Sequence, residues 1–160
     1  MNFKKIIYIK KLTNFLKSRI ELIENREYIN RNEKYVNKFQ GKRCFIIGNG
    51  PSIKKQNLSL LKDEYTFGVN NMVVSDLFDI VKPDFYVMID SNYFDIKSAL
   101  NEKLDLLVSK EYNPIYIFPA RKRKFIERKN LKKDLEIIYV AYDVESTRSY
   151  KEISLKKFVP

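Results

Sequence analysis

The sequence predicts an α/β protein, a Rossmann-like open parallel sheet with crossover helices, preceded by a long basic N-terminal helix. Three observations predict it. Residues 2–40 carry apolar residues at three- and four-residue spacing with no Gly or Pro before Gly41. Beyond Gly41, short apolar runs alternate with polar helical stretches. The first of those runs, Cys44-Phe45-Ile46-Ile47, leads straight into Gly48-Asn49-Gly50-Pro51-Ser52, which reads as a strand turning tightly into a helix.

The N-terminal helix rests on Phe3, Ile6, Ile7, Leu12, Phe15, Leu16, Ile20 and Ile23, with a break expected near Asn25. Its first twenty residues hold six Lys/Arg and no acid. That composition suits docking on an anionic membrane surface through residues 2–24, docking on a partner complex, or a solvated helix packed on its own domain. The division expected is a basic helical extension, 1–40, and the N-terminal part of a Rossmann-like nucleotide-binding domain, 41–160.

Strands are predicted at Arg43 to Ile47, Thr66 to Val69, Asp84 to Ile89, Ile115 to Phe118 and Leu135 to Val140, each short, apolar and bounded by turn formers. Helices are predicted between them, at Ile53 to Leu61, Met72 to Val81, Tyr93 to Lys110 and Lys122 to Lys133. Right-handed crossovers then gather the carboxyl ends of the strands on one edge, where ligands of open α/β sheets collect.

That edge is polar. After the first strand, Gly48 and Gly50 permit torsions and close ligand approach denied to residues with a Cβ, and Pro51 suits a first helical position. The amides of Ser52 and Ile53 and the Ser52 hydroxyl would face a phosphate. Neither the dinucleotide fingerprint nor the ATPase phosphate loop is matched, because position 53 is Ile and no Lys-Ser/Thr pair follows. Asn70 and Asn71 follow the second strand and read either as contacts to a ribose or base edge or as helix caps. Asp90 ends the third strand and reads as a cation ligand, a ribose contact or a bare cap. Arg121 follows the fourth strand, where it could neutralise a leaving diphosphate, and Asp143 follows the fifth.

Composition narrows the classes. At 160 residues with 44% apolar content the chain is long enough for a real core. One cysteine and no histidine exclude a disulfide framework and make a zinc site improbable. A cytoplasmic location fits best, with attachment to the inner membrane face as an addition. The net charge of +11 resembles a nucleic-acid signature until it is divided. Residues 1–41 hold ten Lys/Arg against four Asp/Glu, residues 42–120 nine against ten, and residues 121–160 twelve against six. The stretch with the glycine turn is therefore almost neutral, and anion binding there must come from local geometry. No recognition motif accompanies the basic run Arg121-Lys122-Arg123-Lys124, so nucleic acid is disfavoured as a partner.

The run Gly41 to Lys54, continued by Leu58 to Asn71 and then Lys82 to Asp90, resembles the 6-hydroxymethylpterin diphosphokinase MptE-like family. The glycine motif itself is similar to that of bacterial CMP-sialic acid-dependent sialyltransferases. The resemblance covers residues 41 to about 140 and implies a Rossmann-like domain from systems that glycosylate surface polysaccharide or flagellin. It implies that Asn49, Gly50, Pro51 and Ser52 meet the nucleotide phosphate and ribose, and that Asn70 or Asn71 contacts the nucleotide. The sialyltransferases place a catalytic histidine further along, and this sequence has none, so the resemblance implies an N-terminal piece of a larger transferase.

Three functions follow as expectations. The first is the nucleotide-binding domain of a nucleotide-sugar-dependent glycosyltransferase, with a glycan acceptor and with Asp90 or Asp143 as candidate base. The second is Mg²⁺-dependent diphosphoryl transfer from ATP, for which Asp90 and Asp143 are the placed carboxylates. The third is a degenerate, non-catalytic nucleotide-binding fragment. No cofactor is firmly implied beyond a possible role for Mg²⁺.

Overall fold

A computed structural model describes residues 3–129, 131 and 134–141. The N-terminal helix α1 spans Phe3–Glu24 and a second, α2, spans Arg26–Asn30. The break falls at Asn25, as the sequence predicts. There the side chain competes for the helical ladder, its Nδ2 donating to the Glu21 carbonyl at 2.8 Å.

All five predicted strands form: β1 Cys44–Ile47, β2 Tyr65–Val69, β3 Phe85–Val87, β4 Ile115–Pro119 and β5 Ile137–Val140. They make one parallel sheet in the order β1-β2-β3-β4-β5. The open parallel α/β architecture is thus the one predicted. Its order is sequential, however, and contains no reversal of the kind that creates a crevice in doubly wound sheets.

The intervening helices are shorter than predicted, and in two of the four connections, β1 to β2 and β3 to β4, the cause is visible. Polar side chains capture backbone amides and restart the chain. The Asn57 side chain accepts from Ser59 N, which splits the predicted Ile53–Leu61 helix into 3-10 turns at Pro51–Lys55 and Leu58–Leu61. An extended Ser75 separates the turn Asn70–Val74 from α3, Leu77–Val81. Asp90 caps the turn Ser91–Phe94, and amides captured by Asp95 and Ser98 delay α4 to Asn101–Ser109. A turn at Ala120–Lys122 precedes α5, Arg123–Arg128.

Sequential order with right-handed crossovers sends every connection over the same face of the sheet. Burial follows. Thr66, Gly68, Tyr86, Tyr116 and Phe118 are buried on that face, and they alternate with half-buried neighbours along β2 and β4. The core continues into Phe78, Phe94, Leu104 and Leu107. Phe94 meets Phe118 edge-on at 5.4 Å, and Phe78 meets Tyr86 at 5.6 Å.

The other face is served by a strap. A 3-10 turn at Arg31–Tyr35 follows α2, and Asn32 Nδ2 donates to the Tyr139 carbonyl on β5 at 2.8 Å. Lys34 pairs with Glu136 at 2.8 Å, which lowers the Glu136 pKa and raises that of Lys34. The chain then bends through Asn37 (φ 60°) and Gly41 (φ 75°) toward β1. On the way Phe39 lies edge-on against Tyr65 and Phe85, at 5.0 and 5.1 Å. An apolar groove of about 230 Å³, which includes Tyr35, Phe39, Phe67 and Ile138 in its lining, remains beside it. Ile46 on β1 is 78% exposed.

Register between β2 and β3 has two fasteners. Asp84 accepts from the Thr66 amide at 2.9 Å and from its hydroxyl at 3.2 Å. Gly68 pairs with Tyr86, and a Cβ built on Gly68 would stand 2.8 Å from the Tyr86 ring and 3.0 Å from the Met72 sulfur. Gly68→Ala therefore overpacks the sheet face and is expected to lower unfolding free energy by about 1–3 kcal/mol in urea titrations, with the slope unchanged. A variant as stable as the parent would show that the ring has room to move.

Candidate functional site

The site is the carboxyl edge of the sheet, and its first element is the turn behind β1. Gly48, Asn49, Gly50, Pro51 and Ser52 are all exposed. Ile53 N is consumed by the Gly50 carbonyl at 3.1 Å. This corrects one expectation: that amide closes the 3-10 turn and does not face a ligand. The amides of Gly48, Asn49, Gly50 and Ser52 meet no acceptor among the described residues. A second correction concerns the helix predicted behind the turn. The turn continues only through Lys55, so the field of an extended helix is missing and any anion would be held by individual N–H groups.

The two glycines are not demanded by the fold. Gly50 has φ −67° and ψ 149°, open to any residue, and Gly48 lies outside the left-handed region too. A Cβ on Gly48 would touch nothing within 4 Å, and one on Gly50 only the Ser52 hydroxyl at 3.7 Å. The torsional reason expected for them therefore falls away. Open space above the backbone remains, the space that a closely approaching ligand would fill.

The second element adjoins the first, because β1 and β2 are neighbours. Asn49 Nδ2 donates to the Val69 carbonyl at 3.0 Å and stitches the turn to the end of β2. Asn70 follows with φ 47°, a left-handed conformation that Asn tolerates better than most residues. Its carbonyl accepts from the Tyr86 hydroxyl at 2.7 Å, and that hydroxyl in turn accepts from Val73 N at 2.8 Å. Burial drives the Tyr86 phenol far above its ordinary pKa, so it acts as a fixed neutral donor and acceptor. Asn71 is exposed, and its Oδ1 accepts from the Tyr93 hydroxyl at 2.8 Å and Lys103 Nζ at 2.9 Å.

Asp90 behaves as the cap that one reading of the sequence allows. Its carboxylate accepts from Asn92 N at 2.9 Å, while its carbonyl accepts from Tyr93 N. Among the described residues no three His, Cys, Asp or Glu side chains gather in a way that could hold a metal ion. Asp143 lies outside the described residues.

Arg121 stands apart from the glycine turn. It donates to the Ser91 hydroxyl at 3.2 Å and lies against Glu21 of α1, beside a cleft of about 380 Å³ that also includes Lys17, Ile20, Glu24 and Lys124. With β2 and β3 between them, β1 and β4 are about 14 Å apart at ordinary strand spacing. One phosphate cannot touch both the turn and Arg121. A ligand as long as a nucleotide-sugar can reach from one toward the other.

The described edge thus defines an open parallel α/β protein with free amides behind one edge strand and an asparagine pair beside them. Compared with known proteins, the chain matches no family model, and no curated protein or solved structure matches it significantly. Tyr86, Tyr93 and Lys103 support the edge and were not legible as such. Tyr86 looks like any core aromatic in an apolar strand, and only its reach to Asn70 and Val73 reveals it.

Two measurements test this account. Tyr86→Phe strands the Asn70 carbonyl and the Val73 amide and is expected to cost about 1–3 kcal/mol of stability, with changed amide shifts at residues 70–73 by NMR. The second concerns Glu21. Burial raises its pKa above the usual 4.5, against the opposing pull of the Arg121 guanidinium and the Arg121 amide. A carboxyl with a raised folded pKa stabilises fully below its unfolded value and loses that contribution as pH rises through the folded one. Glu21→Gln should therefore melt higher than the parent at pH 7.5, with the gap closing below about pH 4.5. An identical pair of melting curves at both pH values would contradict the burial of that carboxyl.

Proposed function

We propose that this edge is the nucleotide-binding site of a nucleotide-sugar-dependent glycosyltransferase that acts on a glycan acceptor in surface-polysaccharide or glycoconjugate biosynthesis. One observation carries the reading. Gly48 and Gly50 are required neither by torsion nor by packing, yet they leave open backbone beside unused N–H groups. A phosphate ester is the ligand that such amides suit, since each N–H can donate to a phosphate oxygen without a counter-charge nearby. The adjoining Asn71 carries an amide able to meet a ribose or base edge, and its position is fixed by Tyr93 and Lys103. Stabilisation of the departing phosphate would fall to the same amides. The resemblance of the glycine motif to CMP-dependent sialyltransferases supports the choice of donor class.

Isothermal calorimetry with CMP, CDP, UDP and their sugars, each with and without Mg²⁺, tests it. Binding of at least one at millimolar affinity or better is expected. Gly48→Ala and Gly50→Ala should weaken that binding at least tenfold and leave stability equal or raised by about 0.4–1 kcal/mol, because alanine fits the native torsions and restricts the unfolded chain. A stable variant with undiminished binding would overturn the site, and no binding by any nucleotide would overturn the function. Binding of ATP in the same titrations that depends on Mg²⁺ and disappears in Asp90→Ala would move the reading to diphosphoryl transfer from ATP.

A further inference from the structure

The helix α1 meets the sheet domain at its C-terminal turns, where Lys17, Ile20, Glu21 and Glu24 line the cleft with Ala120, Arg121 and Lys124. Toward the N-terminus large apolar side chains stand in solvent: Tyr8 at 70% exposure, Ile9, Leu12, Phe15 and Leu16 at about half, and, further along, Ile23 at 76%. At 100° per residue these six span an arc of about 120°, wider than the two-position seam through which helices pair, and Arg19 lies within that arc with its guanidinium over the Phe15 ring at 5.3 Å. Exposed apolar surface on this scale marks a contact site.

Charge decides what covers it. Residues 1–20 carry six Lys/Arg and no acid, and the helix's only acids, Glu21 and Glu24, line the cleft against Arg121 and Lys124. Outside the cleft the helix thus exposes large apolar side chains, and every charged residue in its sequence there is a cation. A second copy laid along it would set six cations against six, with no acid on either helix outside the cleft. An anionic lipid surface meets both features at once: acyl chains accept the apolar face and headgroups accept the cations. No helix among the described residues is long and apolar enough to cross a membrane, so the contact would be parallel to the surface.

We propose that α1 is an interfacial anchor, lying on an anionic bilayer through the face of Tyr8, Ile9, Leu12, Phe15, Leu16 and Ile23. This inference does not rest on the nucleotide site.

The test is flotation of the full chain with vesicles of phosphatidylcholine alone and of phosphatidylcholine with one part in three phosphatidylglycerol, in 0.15 M and 1 M salt. Partitioning at least tenfold stronger into the anionic vesicles is expected, reduced severalfold in high salt. Leu12→Asp with Leu16→Asp should abolish it. Because both side chains are about half exposed, circular dichroism and thermal melting of the double variant should match the parent. Lys10→Glu with Lys11→Glu should remove the preference for anionic lipid by a second route. Equal partitioning into both vesicle types, no partitioning, or partitioning untouched by the folded Leu12/Leu16 variant would each overturn the proposal. So would sedimentation equilibrium showing a dimer that the Leu12/Leu16 variant dissolves while vesicles bind neither protein.

Discussion

The Tyr86 ring lying over Gly68 is the contact on which the rest depends. It joins three levels of structure. In the sheet, it fixes how β3 faces β2, since Gly68 and Tyr86 are lateral partners and no larger residue at 68 would let the ring settle. In the core, the ring also meets Phe78 of α3, so the crossover after β2 packs on the same group. At the edge, the hydroxyl emerges beyond the end of β2 and holds the Asn70 carbonyl and the Val73 amide. A left-handed Asn70 leaves backbone groups that need partners, and a buried phenol supplies them at a fixed height. Position 71 then inherits its place from a core residue, not from the loop.

The sheet order sets the shape of what that edge can bind. A doubly wound sheet opens a crevice where its order reverses, and the ligand sinks into it. The sequential order here gives a ledge instead, with the glycine turn at one margin, behind edge strand β1, and Arg121 three strands away. A ledge has few side walls, so recognition falls on backbone groups and on the short polar side chains fixed behind each strand. That matches what stands there: the amides of Gly48, Asn49, Gly50 and Ser52, with Asn71 and Ser91. It also explains why most of these positions are exposed, a condition that in a crevice would argue against a site.

Strand positions were legible because a parallel strand buried among neighbours is a short, nearly continuous apolar run, and each of the five runs here is bounded by a turn former. Strand order was not, since β-rich pairing carries no local signature beyond alternation. Helix lengths were overestimated for a reason that can be named. The apolar spacing of Met72 to Val81 or Tyr93 to Lys110 is helical, but the Ser75 hydroxyl donates to the Met72 carbonyl, Asp95 and Ser98 accept from the Lys97 and Leu100 amides, and the short crossovers resolve the contest in favour of turns and caps. Asp90 illustrates the same ambiguity at the site. A capping aspartate and a liganding one are identical in sequence; the bond from Asn92 N shows that Asp90 caps, a role that occupies one of its carboxylate oxygens. The glycines invert the lesson. Sequence suggests a torsional need at 48 and 50, whereas the left-handed glycine is Gly41, at the bend of the strap.

Charge completes the division of labour. The excess of cations is confined to the two ends of the sequence, and the stretch that builds the edge is close to neutral. Hydrogen bonds from individual amides act over a few ångström and are nearly indifferent to salt, whereas the cations of α1 act through a field that salt screens within about 8 Å at physiological ionic strength. Because Glu21 and Glu24 are spent on the cleft beside Arg121, the outer part of α1 keeps its positive charge undiluted. The proposed attraction to a charged surface and the proposed recognition of a small anion at the edge are then separable by physics as well as by position. Neither requires the other's residues, and a change in ionic strength that loosens the first should leave the second in place.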